Sequence, residues 1–172
     1  IYNALARVAV GYALGMNNEE IAHGIEKLVP IAGRNNLIEA KHYTIIDDCY
    51  NANPASMKSS LDVLAYADTR KVAILGELGA DELAMHREVG AYAAFKNTDV
   101  LVCIGALSKD MAEAAKETVL ATEKNMKVFH FDTKEDFYQN MGQILNENDT
   151  ILVKASHFME FTEIVKKLSE EA

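Results

Sequence analysis

From Asn36 to the end of the chain, short apolar runs alternate with longer segments of helical periodicity, and this constrains the fold more than any other feature of the sequence. Such alternation is the signature of helices packed on a largely parallel sheet. Leu37–Ala40 and Tyr43–Asp47 read as two short strands, and Lys71–Leu75, Val100–Ile104, Lys127–Phe131 and Ile151–Val153 as four later ones. The last four are apolar enough to be buried on both faces. Helical periodicity marks 55–67, 82–95, 109–121, 134–145 and 158–168. The expected class is α/β: a three-layer, Rossmann-like domain on a mostly parallel sheet of about six strands with short connections.

Two helices precede this domain. Ala4, Val8, Val10, Ala13 and Leu14 form the apolar stripe of the first, which Gly15 is placed to end in a left-handed conformation. Asn17 or Asn18 can cap the second, which runs through Glu19, Glu20, Ile21, Ile25 and Leu28, before Pro30 and Gly33 mark a boundary. Residues 1–30 therefore read as the tail of a preceding domain and 31–172 as the α/β domain. Because the chain opens on Ile1 in mid-helix, it is expected to be a fragment of a longer protein.

A net charge of -9 argues against nucleic acid or an anionic membrane as partner, since polyanions are bound through clustered Lys and Arg. No apolar run approaches the roughly 18 residues needed to span a bilayer. Cys49 and Cys103 lie in no CxxC pair or metal-spaced cluster, which fits a reducing, cytoplasmic setting without disulfides or a metal site. A small-molecule substrate is expected. No G-x-x-x-x-G-K-[ST] occurs, so the chain lacks the loop that cradles nucleotide phosphates and cannot be a complete ATPase. Gly76-Glu77-Leu78-Gly79 follows a strand but lacks the glycine spacing of a dinucleotide fingerprint, so NAD is not expected.

Ligands of open α/β sheets sit at the carboxyl ends of the strands. The richest loop there is Asp47-Asp48-Cys49-Tyr50-Asn51-Ala52-Asn53-Pro54-Ala55-Ser56-Met57, which packs two carboxylates, a phenol and two carboxamides between a strand and a helix. A rigid turn with helix capping and a binding loop account equally well for those residue types.

The same stretch resembles the Mur ligase family, and within it the branch that adds D-alanyl-D-alanine, whose members carry DDSYNANP-x-SM. Three further segments are similar to that family's motifs: Gly33-Arg34 at the domain entrance, Glu77-Leu78-Gly79 with His86-Arg87-Glu88-Val89-Gly90, and Leu152-Val153-Lys154-Ala155-Ser156-His157. The resemblance runs from Tyr2 to the C-terminus and implies that the first helices end a central ATP-binding domain. It implies a ligase in which ATP phosphorylates the terminal carboxylate of UDP-MurNAc-tripeptide and the amine of D-Ala-D-Ala attacks the acyl phosphate. Mg2+ would arrive with ATP, held mainly by the central domain, and the protein is expected to be a monomer.

By the same resemblance, Arg34 reaches the ATP phosphates, where a planar fork of donors suits bidentate contact. Asp48 takes the ribose hydroxyls; Tyr50, Asn51 and Asn53 line the cleft between nucleotide and acceptor; and Lys154 and Ser156 sit beside the incoming dipeptide. Each has a plainer reading. Arg34 could form a surface ion pair, Asp47 is expected to be structural, His86 to be a satisfied or solvent-facing imidazole, Lys154 could be an edge residue, and Cys49 a small semi-buried one. The chain departs from the family where Ala155-Ser156-His157 stands for Gly-Ser-Arg, where the loop from Gly76 to His86 is short, and where Cys49 replaces Ser. Two other readings stand beside this one: a binding module of Mur C-terminal fold without catalysis, for which Ala155-Ser156-His157 and the short loop are the hints, and a sister ligase with another acceptor, against which the Tyr50-Asn51-Ala52-Asn53 match counts.

Overall fold

The computed structural model describes residues 2–27, 31–79 and 83–170, which fall into two compact units, 1–31 and 32–172. In the first, α1 (Tyr2–Ala13) and α2 (Asn18–Glu26) are joined by a turn in which Gly15 takes φ +80°, the left-handed conformation that favours glycine. Asn17 caps α2 reciprocally: its side chain accepts the Glu20 N–H, and the Glu20 carboxylate accepts the Asn17 N–H. Among the described residues of this unit only Gly11 and Ile21 are buried, and Leu5, Val10 and Leu14 stand exposed. Leu28 and Pro30, expected to finish the second helix and mark the boundary, lie outside the described residues.

The second unit contains β1 (Asn36–Glu39), β2 (Tyr43–Asp47), α3 (Pro54–Leu64), β3 (Lys71–Leu75), α4 (Leu83–Phe95), β4 (Val100–Ile104), α5 (Ser108–Thr122), β5 (Lys127–Phe131), α6 (Lys134–Ile144), β6 (Asp149–Lys154), a 3-10 turn at His157–Met159 and α7 (Thr162–Glu170). Its six strands are ordered β1-β2-β6-β3-β4-β5, with only the β1–β2 pair antiparallel. The late strand β6 thus enters the middle of the sheet, between β2 and β3.

Alternate residues of the strands feed two cores. Ile45, Val72, Ile74, Val102, Ile151 and Val153 pack with Phe137 and Met141 of α6 and Ile164 and Leu168 of α7. Ile46, Ala73, Leu75, Leu101, Cys103 and Leu152 pack with Met57 and Leu61 of α3, Val89 of α4 and Met111 of α5. These two covered faces make the three layers. Helices α4 and α5 approach so closely that a Cβ on Gly90 would lie 1.9 Å from the Met111 carbonyl oxygen.

Two expectations need correction. β5 is not buried on both faces: it is a sheet edge, and four of its residues are only half-buried while Lys127 is exposed. The expected helix 158–168 is broken, because Glu160 turns left-handed at φ +53° between the 3-10 turn and α7. Glu82, expected to begin the fourth helix, lies outside the described residues, as do residues 80–82 of the loop expected to be short.

Candidate functional site

The insertion of β6 brings the carboxyl ends of β2, β6 and β3 side by side, so the loops 48–53, 155–157 and 76–79 share one end of the sheet. Each is held by backbone bonds to a neighbour. The Asp48 N–H donates to Val153 O at 3.0 Å, the Gly76 N–H to Lys154 O at 2.9 Å, and the Ser156 N–H to Glu77 O at 3.0 Å. Gly76 is required there, since a Cβ would meet Ala155 Cβ and Phe161 Cζ, each at 2.6 Å.

The turn 33–35 is clamped onto the β2 loop. Asp47 Oδ2 accepts the Gly33 N–H at 3.0 Å, Asp48 Oδ1 accepts the Asn35 N–H at 3.1 Å, and the Tyr50 N–H donates to Gly33 O at 2.9 Å. The adjacent carboxylates therefore fix the backbone on either side of Arg34. Its side chain is exposed and lies over the Tyr50 ring, with Cζ 4.0 Å from the ring centroid. On the same ring rests His157, centroid to centroid 6.0 Å.

Asp48 and Lys154 turn inward. Lys154 Nζ donates to Asp48 Oδ2 at 2.6 Å, to Asn51 O at 2.9 Å and to Asp48 O at 3.3 Å, which uses its three donors. Asp48 Oδ2 also accepts from Ser60 Oγ at 2.5 Å. The Lys154 side chain is 3% exposed and that of Asp48 11%. Lys154 is thus no edge residue but the last residue of a central strand. Where the sequence suggested contacts with ribose and dipeptide, the structure spends Asp48 and Lys154 on each other and on the loop. Ser60 was missed by the sequence reading; its only signal is its place on the sheet-facing side of α3, two turns beyond the Asn53 cap.

Asn53 caps α3: its Oδ1 accepts the Ser56 N–H at 2.9 Å while Ser56 Oγ accepts the Asn53 N–H at 3.1 Å, with Pro54 in the first turn. Asn51 Oδ1 accepts the Ala52 N–H at 2.8 Å. Both carboxamides are exposed. Ser156, by contrast, is buried and its hydroxyl has no partner among the described residues; it lies 3.5 Å from where a Cβ on Gly79 would be.

The Cys49 thiol donates to Val153 O at 3.3 Å, and burial, reinforced by the Asp47 carboxylate, pushes its pKa far up, so it is no nucleophile. His86 is fully buried, with Nε2 accepting the Leu78 N–H at 3.1 Å, which makes it a support for the β3 loop. Among the described residues no three His, Cys, Asp or Glu side chains could hold a metal ion, and no helix is long and apolar enough to cross a membrane.

The chain is 34% identical over 176 aligned residues to UDP-N-acetylmuramoyl-tripeptide--D-alanyl-D-alanine ligase of Bacillus subtilis, an alignment covering 99% of this chain and 38% of that protein. It is 31% identical to the enzyme of the same name from Escherichia coli, covering 99% of this chain and 37% of that protein. The chain therefore spans little more than a third of the length of these relatives. A crystal structure of MurF from Acinetobacter baumannii superposes with a TM-score of 0.83 at 28% identity, over 98% of this chain and 37% of the other. Residues 33–157, which contain every loop of the site, match the Mur ligase, glutamate ligase domain, and the chain belongs to the Mur ligase family.

Proposed function

We propose that this chain is the C-terminal, closing domain of a cytoplasmic, monomeric ATP-dependent ligase that joins D-Ala-D-Ala to UDP-MurNAc-tripeptide. Residues 1–30 would be the last helices of its central ATP-binding domain. The exposed Leu5 and Val10 of α1 and Leu14 just after it support that, since large apolar side chains left open on so short a helical pair are normally covered by the rest of a domain. In the reaction, a carboxylate oxygen of the tripeptide attacks the γ-phosphorus of ATP and releases ADP. The dipeptide amine, having lost a proton, then attacks the acyl carbon, and phosphate leaves. Charge develops on phosphoryl and acyl oxygens in both steps, so fixed donors aimed at those oxygens contribute most of what a protein can.

The observation that carries the reading is the exposed Arg34 guanidinium, on a backbone locked by Asp47, Asp48 and Tyr50 at one end of the sheet. Arg34 would meet the nucleotide phosphates as the domain closes. The exposed side-chain amides of Asn51 and Asn53 would face the nucleotide, and Tyr50 and Ser156 the dipeptide. Asp48 and Lys154 would act by holding the loop rigid rather than by reaching ribose or dipeptide. The described residues do not fit a resident Mg2+, which would come with ATP, and no step here is routed through it.

The test is phosphate release from ATP by the full-length protein with UDP-MurNAc-tripeptide, comparing D-Ala-D-Ala with D-Glu, L-Lys and diaminopimelate. Release that depends on D-Ala-D-Ala supports the proposal. Release with another acceptor moves the chain to a sister ligase, and none with any acceptor leaves a binding module.

A further inference from the structure

The backbone flanking Arg34 is fixed by hydrogen bonds to Asp47, Asp48 and Tyr50, but its side chain, which would have to meet phosphate, is on the surface. A free arginine side chain carries about 2 kcal/mol of rotamer entropy, much of which is lost on engaging a ligand. What limits that freedom here is the Tyr50 ring under the guanidinium, 4.0 Å from Cζ. Tyr50 is itself half exposed, and its backbone N–H is committed to Gly33 O, so its ring direction depends on what touches the ring. The second contact on that ring is His157, at 6.0 Å and 41°.

His157 can serve as a stop because its own backbone is anchored. It follows Ser156, whose N–H is bonded to Glu77 O, and it opens the 3-10 turn closed by the Met159 N–H to Ser156 O bond at 3.0 Å. Lys154, Ala155 and Ser156 before it are all buried. The exposed imidazole thus projects from a fixed backbone at the end of the central strand, as Arg34 does from the clamped turn 33–35. The tyrosine ring connects the two.

We infer that His157 is a positioning residue for Arg34, acting through the ring of Tyr50: it holds that ring where it presents the guanidinium. The inference rests on the proposed phosphate-facing role of Arg34, and nothing in it requires His157 to touch a substrate. An aromatic ring at 157 suffices, so His157→Phe should serve where His157→Ala does not.

The test uses the full-length protein and two readouts. The first is independent of activity: the Arg34 Nε–H resonance, displaced by the ring current of Tyr50, moves toward its random-coil position in His157→Ala and returns in His157→Phe. The second is steady-state ligation. His157→Ala raises KM for ATP by about three- to ten-fold, while His157→Phe restores it. In an Arg34→Ala background, His157→Ala adds no further rise in KM for ATP, because the two act as one unit. An Arg34 resonance unmoved by His157→Ala overturns the inference. So does a rise in KM for ATP that adds fully to that of Arg34→Ala, or one that phenylalanine fails to reverse. Should the wild type ligate nothing, the functional reading falls, and the resonance together with the affinity of the variants for ATP in equilibrium binding decides on His157.

Discussion

The strand β6 begins and ends in an ion pair, and the two differ in a way that separates scaffold from site. At its start, Asp149 is 1% exposed; its Oδ2 accepts from Arg70 at 2.7 Å and from the Asn146 N–H at 2.8 Å, while its Oδ1 has no partner among the described residues. Arg70 also donates to Ile144 O at 2.9 Å, so this pair ties the α6–β6 connection to the start of β3. At the other end, the Lys154 and Asp48 side chains leave no polar atom unused, and besides each other their partners belong to the turn 33–35, the loop 48–53 or α3. The imperfect pair staples the frame, and the saturated one fixes the loops that would meet ligands.

The sharpest break of that comparison is Lys154→Met, which leaves the Asp48 carboxylate buried without its counter-charge and two carbonyls without a donor. We expect a loss of about 3–5 kcal/mol in urea denaturation of this chain. The double variant Lys154→Met/Asp48→Leu should recover much of it, because an apolar pair of similar volume carries no desolvation cost. A loss under 1 kcal/mol in the single variant would mean that the pair is solvated in solution.

Ser60→Ala comes next. It removes one hydrogen bond to a charged acceptor that keeps its ammonium partner, so the expected cost is about 1–2 kcal/mol by the same measurement. A cost equal to that of Lys154→Met would shift the anchor of the site from the ion pair to the hydroxyl.

How much of this was legible in the sequence divides along the same line. β3, β4 and β6 could be read because both faces of each are buried against helices, whereas the edge strand β5 shows only in its apolar run. β6 was read as only Ile151–Val153, although it runs from Asp149 to Lys154. Its polar end residues look like loop until Arg70 and Asp48, 79 and 106 positions away, are seen to pair with them. The same distance hid the inward turn of Lys154, and nothing in the spacing of Ser60 announces a carboxylate partner. The motif around Tyr50 marks the loop at the carboxyl end of β2, but it does not tell which of its side chains face out. Tyr50, Asn51 and Asn53 do, and Asp48 does not.

Asp149→Asn should be milder still, about 1 kcal/mol or less at neutral pH, since it removes a desolvated charge as well as an ion pair. Its pH dependence is the informative part. Burial raises the Asp149 pKa, only partly offset by the Asn146 N–H and Arg70. The folded state therefore favours the protonated form more than the unfolded state does. Asp149's contribution is greatest below the ordinary carboxylate value of about 3.9 and falls as pH rises through the raised folded-state value. Urea midpoints taken from pH 7 down to pH 4 should show the wild type gaining on Asp149→Asn. A gap that moves the other way would mean that Arg70 outweighs burial.

The smallest expected effect on stability belongs to Arg34→Ala. The side chain is exposed and its cation–π contact with Tyr50 is worth about 0.5–1 kcal/mol at most at such a site, so the urea midpoint should scarcely move. Its effect on ligation by the full-length protein should be the reverse, a loss of at least about a hundred-fold in kcat/KM for ATP if the guanidinium meets the phosphates as they transfer. Lys154→Met and Arg34→Ala then form opposite cases: one disables by loosening the frame of the site, the other without disturbing the fold. Near-wild-type turnover in Arg34→Ala would leave a clamp of Asp47, Asp48 and Tyr50 around a side chain with nothing to do, and the phosphate contact would have to be sought at Asn51 and Asn53.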